Sequence, residues 1–226
     1  MKLVIFDCDG TLVDSQNAII ASISKAFSGL GIIAPTRAQI LSVVGLSLSE
    51  AFAVLAHEHE KTIQQKLACL FRENVATARA QMKVEDPLFA GAKETVQTLT
   101  ERDDIVLGIA TGKSGRGVAR ILEREGWQGA FFTVQTADDH PSKPHPSMIE
   151  QAMAEAGVGP EATVMIGDTS YDMEMARRAT VGAVGVAWGY HPVRHLEQAG
   201  AHIIVPEIAA LVGAIDGLFA DWEARS

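Results

Sequence analysis

Cysteine is scarce: the 226 residues hold two, Cys8 and Cys69. That is too few for a disulfide framework, so a reducing, cytoplasmic setting is expected. Long apolar runs are missing as well. None reaches the roughly 20 residues of a membrane span. The chain opens directly into a strand-like run, so no secretory leader is expected. Basic residues are outnumbered, 19 Lys and Arg against 28 Asp and Glu, for a net charge of −9. They are scattered, and a grip on nucleic acid or on an anionic membrane would need a basic patch. Both partners are therefore set aside.

What is present suits a folded α/β protein. Apolar residues make up 47% and charged residues 21%, enough for a core and too few charges for a disordered chain. Runs at Leu3–Phe6, Ile105–Ala110, Phe131–Val134, Thr163–Ile166, Ala183–Trp188 and His202–Val205 read as strands. Helical spacing lies between them, near 91–102, 114–125, 145–156, 171–179 and 193–199, and Ile208–Trp222 reads as a closing helix. This alternation predicts a parallel sheet with helices on both faces. Residues 15–85 break the rhythm with helical spacing and no convincing strand. A plain crossover needs only about a dozen residues. The expectation is a Rossmann-like core of residues 1–14 and 86–226 carrying an all-helical insertion at 15–85. "KVEDPLFAG" (83–91) would be the return linker.

The polar residues cluster where the strands end. Asp7 and Asp9 follow the first run, and extended backbone would point both to one side with Cys8 on the other. Two such charges 4 Å apart repel by about 4 kcal/mol at an effective dielectric near 20, so a proton, a cation or exposure must offset them. Thr111 closes the second run, Lys143 follows the third in "SKPHP", and Asp168 and Asp172 follow the fourth in "GDTSYD". Ligands of open parallel sheets bind outside the carboxyl ends of the strands. Four separate segments thus bring acids, a hydroxyl and an amine to one edge.

These residues resemble the haloacid dehalogenase-like hydrolase superfamily, in its phosphatase branch with a helical cap. The motif Asp-x-Asp-Gly-Thr is matched by Asp7 to Thr11, the strand-end Thr by Thr111, the Lys by Lys143, and Gly-Asp with a second acid by Gly167, Asp168 and Asp172. The match runs through essentially the whole chain, and the nearest flavour is phosphoglycolate phosphatase-like. The resemblance implies that Asp7 attacks phosphorus to form an aspartyl-phosphate, and that Asp9 serves as general acid and then base. It implies Mg²⁺ held by Asp7, the backbone carbonyl of Asp9, and Asp168, with Asp172 close by. The cation would then offset the repulsion between the acids. Thr111, Gly112 and Lys143 would bind the phosphoryl oxygens, and the partner would be a small phosphorylated metabolite. Asp172, four residues after Asp168, would return to the same side on a first helical turn. The oligomeric state is not legible.

Other readings of the same residues compete. A calcium-binding loop starting at Asp7 would need Glu at its twelfth position, which is Ala18. "GIATGKS" misses a phosphate-binding P-loop by one residue, three rather than four lying between Gly108 and Gly112. Lys113 is then expected as an exposed residue at a helix start. Asp168 and Asp172 could be plain helix caps. His57 and His59 are expected on a solvated face, and His191 and His195 in surface or capping roles. Acids flanking Cys8 should raise its pKa and leave it unreactive. Met165, Met173 and Met175 are expected in the core. On the same motifs a sugar phosphomutase or a pyrophosphatase is the alternative enzyme, and a non-catalytic phosphate-binding protein is the alternative outside catalysis. "GLSLSE" (45–50) is the candidate loop for meeting the substrate.

Overall fold

The computed structural model describes residues 1–81 and 86–224. The expected return linker lies partly outside them, at 83–85. Six strands form one parallel sheet: β1 (Lys2–Phe6), β2 (Ile105–Thr111), β3 (Phe131–Thr136), β4 (Thr163–Gly167), β5 (Gly182–Val186) and β6 (Ile203–Val205), in the order β3-β2-β1-β4-β5-β6. The fold is the expected Rossmann-like α/β core. β1 lies at the centre, with Leu3 opposite Val106 of β2 and Thr163 of β4.

Alternation along β1 assigns its side chains to two cores. Val4 and Phe6 join Leu107, Ile109 and Ile166 on one face of the sheet; Leu3 and Ile5 join Met165, Met173 and Met175 on the other. The first face is covered by α5 (Ala92–Thr100), α6 (Gly115–Glu125) and α10 (Leu211–Glu223), the second by α7 (Ser147–Ala156), α8 (Ser170–Arg178) and α9 (Val193–Gln198). Leu3, Val4, Ile5 and Phe6 are all fully buried, each contributing about 1.5–3 kcal/mol. The predicted fifth strand runs too far, because the chain turns after Val186 and carries Trp188 out of the sheet.

Between β1 and α5 come α1 (Gln16–Gly29), α2 (Arg37–Leu41), α3 (Leu48–Leu55) and α4 (Lys61–Ala80), with no strand among the described residues. These helices have their own apolar centre of Ile23, Phe27, Ile40, Phe52 and Leu67, where the Phe27 and Phe52 rings stack at 6.2 Å. Two chain segments join this unit to the sheet. They run side by side: Asp14 N–H donates to Pro87 O at 2.8 Å and Phe89 N–H to Leu12 O at 3.0 Å.

Candidate active site

Asp7 directly follows β1 and is fully buried, its N–H donating to Ile166 O at 2.9 Å. Strand alternation does not carry on through Asp9, as had been expected. The N–H groups of Thr11, Leu12 and Val13 all turn back onto Cys8 O, and Gly10 takes a left-handed φ of 86°. A Cβ at Gly10 would also lie 2.2 Å from Asp168 Oδ2, so this corner needs glycine for conformation and for space.

Asp168 follows the last residue of β4. It accepts hydrogen bonds from Thr11 Oγ1 at 3.1 Å and from Tyr190 N–H at 2.8 Å. Asp172 reaches the same place by a different route from the one its spacing suggested. Asp168 lies outside α8, so the two acids are not one helical turn apart. Thr169 caps the helix, and Asp172 Oδ2 accepts back from Thr169 N–H at 3.0 Å and Oγ1 at 2.7 Å. This capping box fixes the carboxylate beneath the strand ends. Asp172 is therefore both a capping residue and a member of the cluster.

Lys143 stands in the loop after β3, joined to Pro144 by a cis peptide bond, and its side chain is fully buried. Its Nζ donates to Asp172 Oδ1 at 2.6 Å and lies 3.0 Å from Asp7 Oδ1. Neither Asp7 carboxylate oxygen accepts a well-aligned hydrogen bond. Burial pushes the Asp7 carboxyl up to about 6, against the pull of Lys143 and with a further push from Asp172. Burial, then Asp172 and Asp7, also raise Asp168 well above the carboxylate range. Burial alone would favour a neutral Lys143 amine; Asp172 and Asp7 outweigh it and hold the ammonium.

The acids Asp7, Asp168 and Asp172 each present an oxygen within 4.8 Å of the other two. With all three acids ionised, the one ammonium would leave an excess of two negative charges. Hard oxygen donors, that uncompensated charge and an Asp7 carboxylate without a well-aligned hydrogen bond fit a divalent cation. The Asp9 carboxylate stands outside this cluster. It is held by Lys113, whose Nζ lies 2.6 Å from Asp9 Oδ1.

That contact overturns the expectation for Lys113. Its side chain is only 10% exposed, because Ser114 caps α6 and the lysine, one residue earlier, folds into the site. Burial opposes the charge on Lys113, but Asp9 more than compensates and raises its pKa. Thr111 is buried at the end of β2, its Oγ1 accepting from Lys113 N–H at 3.3 Å. Gly112 allows a close approach by the helical unit: a Cβ there would lie 2.5 Å from Gly45 O and 2.6 Å from Leu46 O. Ser47 N–H donates to Ser142 Oγ at 2.8 Å and Tyr171 OH to Ser42 O at 3.0 Å. Residues 42–47 thus lie across the strand ends, next to Lys143.

Among the remaining sequence readings, Cys8 is buried with its thiol pKa raised, chiefly by burial and then by Asp9. His57, His59 and His195 are exposed. His191 is buried rather than on the surface, its Nδ1 accepting from Ser170 N–H at 3.1 Å at the start of α8. Sequence reasoning missed Thr11, Tyr190 and the inward turn of Lys113. Thr11 was in plain view within the first motif. Tyr190 acts through its backbone N–H, which leaves no side-chain signature.

The family model described as haloacid dehalogenase-like hydrolase matches residues 4–186. The chain is 35% identical over 221 residues to "Probable phosphatase IndB" of Dickeya dadantii, covering 96% of this chain and 94% of that one. It is 29% identical to the pyrophosphatase PpaX of Oceanobacillus iheyensis, covering 97% and 99%. It is 28% identical to a phosphoglycolate phosphatase of Agrobacterium fabrum, covering 94% and 91%. Among solved structures, a hydrolase from Pseudomonas syringae superposes with a TM-score of 0.82 at 25% identity, covering 96% of this chain and 99% of that chain.

Proposed function

The chain belongs to the haloacid dehalogenase-like hydrolase family, and from that premise we propose that it is a Mg²⁺-dependent phosphatase of small phosphorylated metabolites, working through an aspartyl-phosphate at Asp7. The carrying observation is the Asp7 carboxylate: buried, without a well-aligned hydrogen bond, and set between the Lys143 ammonium and two further acids. Asp7, Asp168, Asp172 and the Asp9 backbone carbonyl would hold Mg²⁺, which when bound balances the acids and stabilises charge on the phosphoryl oxygens.

The residues divide the work between two half-reactions. Asp7 Oδ attacks phosphorus as the bond to the bridging oxygen breaks, and Asp9 delivers a proton to that oxygen. Water then attacks the aspartyl-phosphate, Asp9 takes its proton, and inorganic phosphate leaves with Asp7 restored. Thr111, the Gly112 backbone and Lys143 bind the transferring phosphoryl group. Residues 1–14 and 86–226 form the catalytic core, and 15–85 the cap that closes over it and excludes water. The free thiols of Cys8 and Cys69 accord with a reducing, cytoplasmic setting; among the described residues no helix is long and apolar enough to cross a membrane.

Pyrophosphate is the second substrate reading, favoured by the likeness to PpaX. A panel of small phosphomonoesters with pyrophosphate, run with Mg²⁺, with EDTA and with Asp7→Asn, tests the proposal. Phosphate release lost in both controls is expected. Folded protein that releases none, or release that survives Asp7→Asn, would overturn it.

A further inference from the structure

Among the described residues, Lys113 Nζ makes a single hydrogen bond, to Asp9, and also feels the charge of Asp86. An ammonium carries three donors; Lys113 Nζ gives one to Asp9 Oδ1 at 2.6 Å and makes no other hydrogen bond among the described residues. Two donors are thus left open on a side chain that is 10% exposed, in the middle of the site. The placement is built into the fold. Lys113 N–H on Thr111 Oγ1, at 3.3 Å, fixes its start beside the phosphoryl-binding strand end. Gly117 clears the path of its stem: a Cβ there would lie 2.9 Å from Lys113 Cγ and 3.3 Å from Cδ and Cε. Glycine is a poor helix former, and Gly117 is the third residue of α6. Lys143 cannot take the same part, since it is fully enclosed against Asp7 and Asp172.

Asp9 marks the leaving side of the substrate, because it serves the bridging oxygen. A cation 2.6 Å from Asp9 stands beside the first atoms of the leaving group beyond that oxygen. We infer that Lys113 binds a second anionic group on that leaving side, so that the preferred substrates are small phosphate esters or anhydrides carrying a carboxylate or a phosphoryl group next to the scissile phosphate. The inference rests on the hydrolase reading above and narrows it. The ammonium turns from Asp9 toward the incoming anion, and a neutral leaving group gives it no reason to turn. A charge-assisted hydrogen bond in so dry a place separates anionic from neutral leaving groups by about tenfold or more.

The test compares 2-phosphoglycolate, pyrophosphate and the uncharged counterpart 2-hydroxyethyl phosphate. Binding is measured by calorimetry with Mg²⁺ on the Asp7→Asn protein, where no turnover intrudes. Asp7→Asn should bind at least one of the two anionic ligands about tenfold more tightly than 2-hydroxyethyl phosphate. Adding Lys113→Met should erase that margin, and Lys113→Arg should keep most of it. The tighter of the two anions tells carboxylate from phosphoryl recognition. In the otherwise native enzyme, Lys113→Met should raise KM for the anionic substrate about tenfold more than KM for 2-hydroxyethyl phosphate, whatever loss of kcat both share through Asp9. Gly117→Ala, which favours the helix, should narrow the margin with the melting temperature kept. Equal affinities for all three ligands, a margin that survives Lys113→Met, or an equal rise of KM on charged and uncharged substrates would overturn the inference. Binding is read without turnover, so a protein that hydrolyses nothing would count against the phosphatase reading and leave the margin to decide the role of Lys113.

Discussion

The sheet and the helical unit spend similar apolar material very differently. In β1, four consecutive residues are fully buried, and the acids that follow inherit that rigidity. In α4, twenty residues bury only Leu67 and Ala68. The unit is joined to the sheet by two adjacent segments and rests on the site through single hydrogen bonds at Ser47 and Tyr171. A site made of buried charge needs the first kind of packing, because a carboxylate free to relax would find water. The proposed role of the helical unit, a cover that admits substrate, needs the second.

Substitutions can break this contrast, and the largest effect should come from Asp7. Asp7→Asn should lower kcat by more than about a thousandfold while leaving the fold intact; steady-state phosphate release together with circular dichroism checks both halves. Lys143→Ala should come next. It leaves Asp7 and Asp172 buried without their cation, a loss of the kind that costs about 3–5 kcal/mol. Chemical denaturation should show this, with Mg²⁺ recovering part of it. Phe27→Ala, in the centre of the helical unit, should cost a similar 3–5 kcal/mol locally. In hydrogen exchange, protection should fall in α1, α3 and α4 and hold in β1, β2 and β4. Equal loss in both regions would show that the unit and the sheet unfold as one.

Two smaller effects depend on pH. Without metal, Asp7 titrates at about 6 in the folded chain against 3.8 as its ordinary value, because burial disfavours its charge. A raised folded pKa means stability present below about 4 and lost as pH rises toward 6. Metal binding needs the carboxylates, so the rise in melting temperature given by Mg²⁺ should be larger at pH 7.5 than at pH 5. Burial lowers the pKa of His191, which is held neutral with Nδ1 accepting from Ser170. Its contribution should be complete above about pH 6.5 and fade as acid protonates the unfolded chain. His191→Asn should flatten that acid limb in urea melts.

Much of this was legible in the sequence because it is local. Apolar runs and strand-end acids carry their own signal, and so Asp7, Asp9, Thr111, Lys143, Asp168 and Asp172 could be placed at one edge. What was not legible depends on non-local geometry. The turn after Asp7 comes from three N–H groups on one carbonyl. Asp172 arrives through a capping box with Thr169, not through helical spacing from Asp168. Lys113 turns inward because Gly117, four residues on, lacks a side chain, and Tyr190 meets Asp168 through its backbone. In each case the deciding partner is a backbone group or a missing Cβ, which residue patterns do not mark.

The proposed chemistry depends first on covalent phosphorylation of Asp7. Rapid quench of the Mg²⁺-loaded enzyme during turnover, borohydride trapping of the acyl phosphate and peptide mass mapping test it directly. The modified carboxyl should map to Asp7, and the signal should disappear in Asp7→Asn. A reduced carboxyl at another acid, or full turnover with Asp7 never modified, would contradict the proposed chemistry.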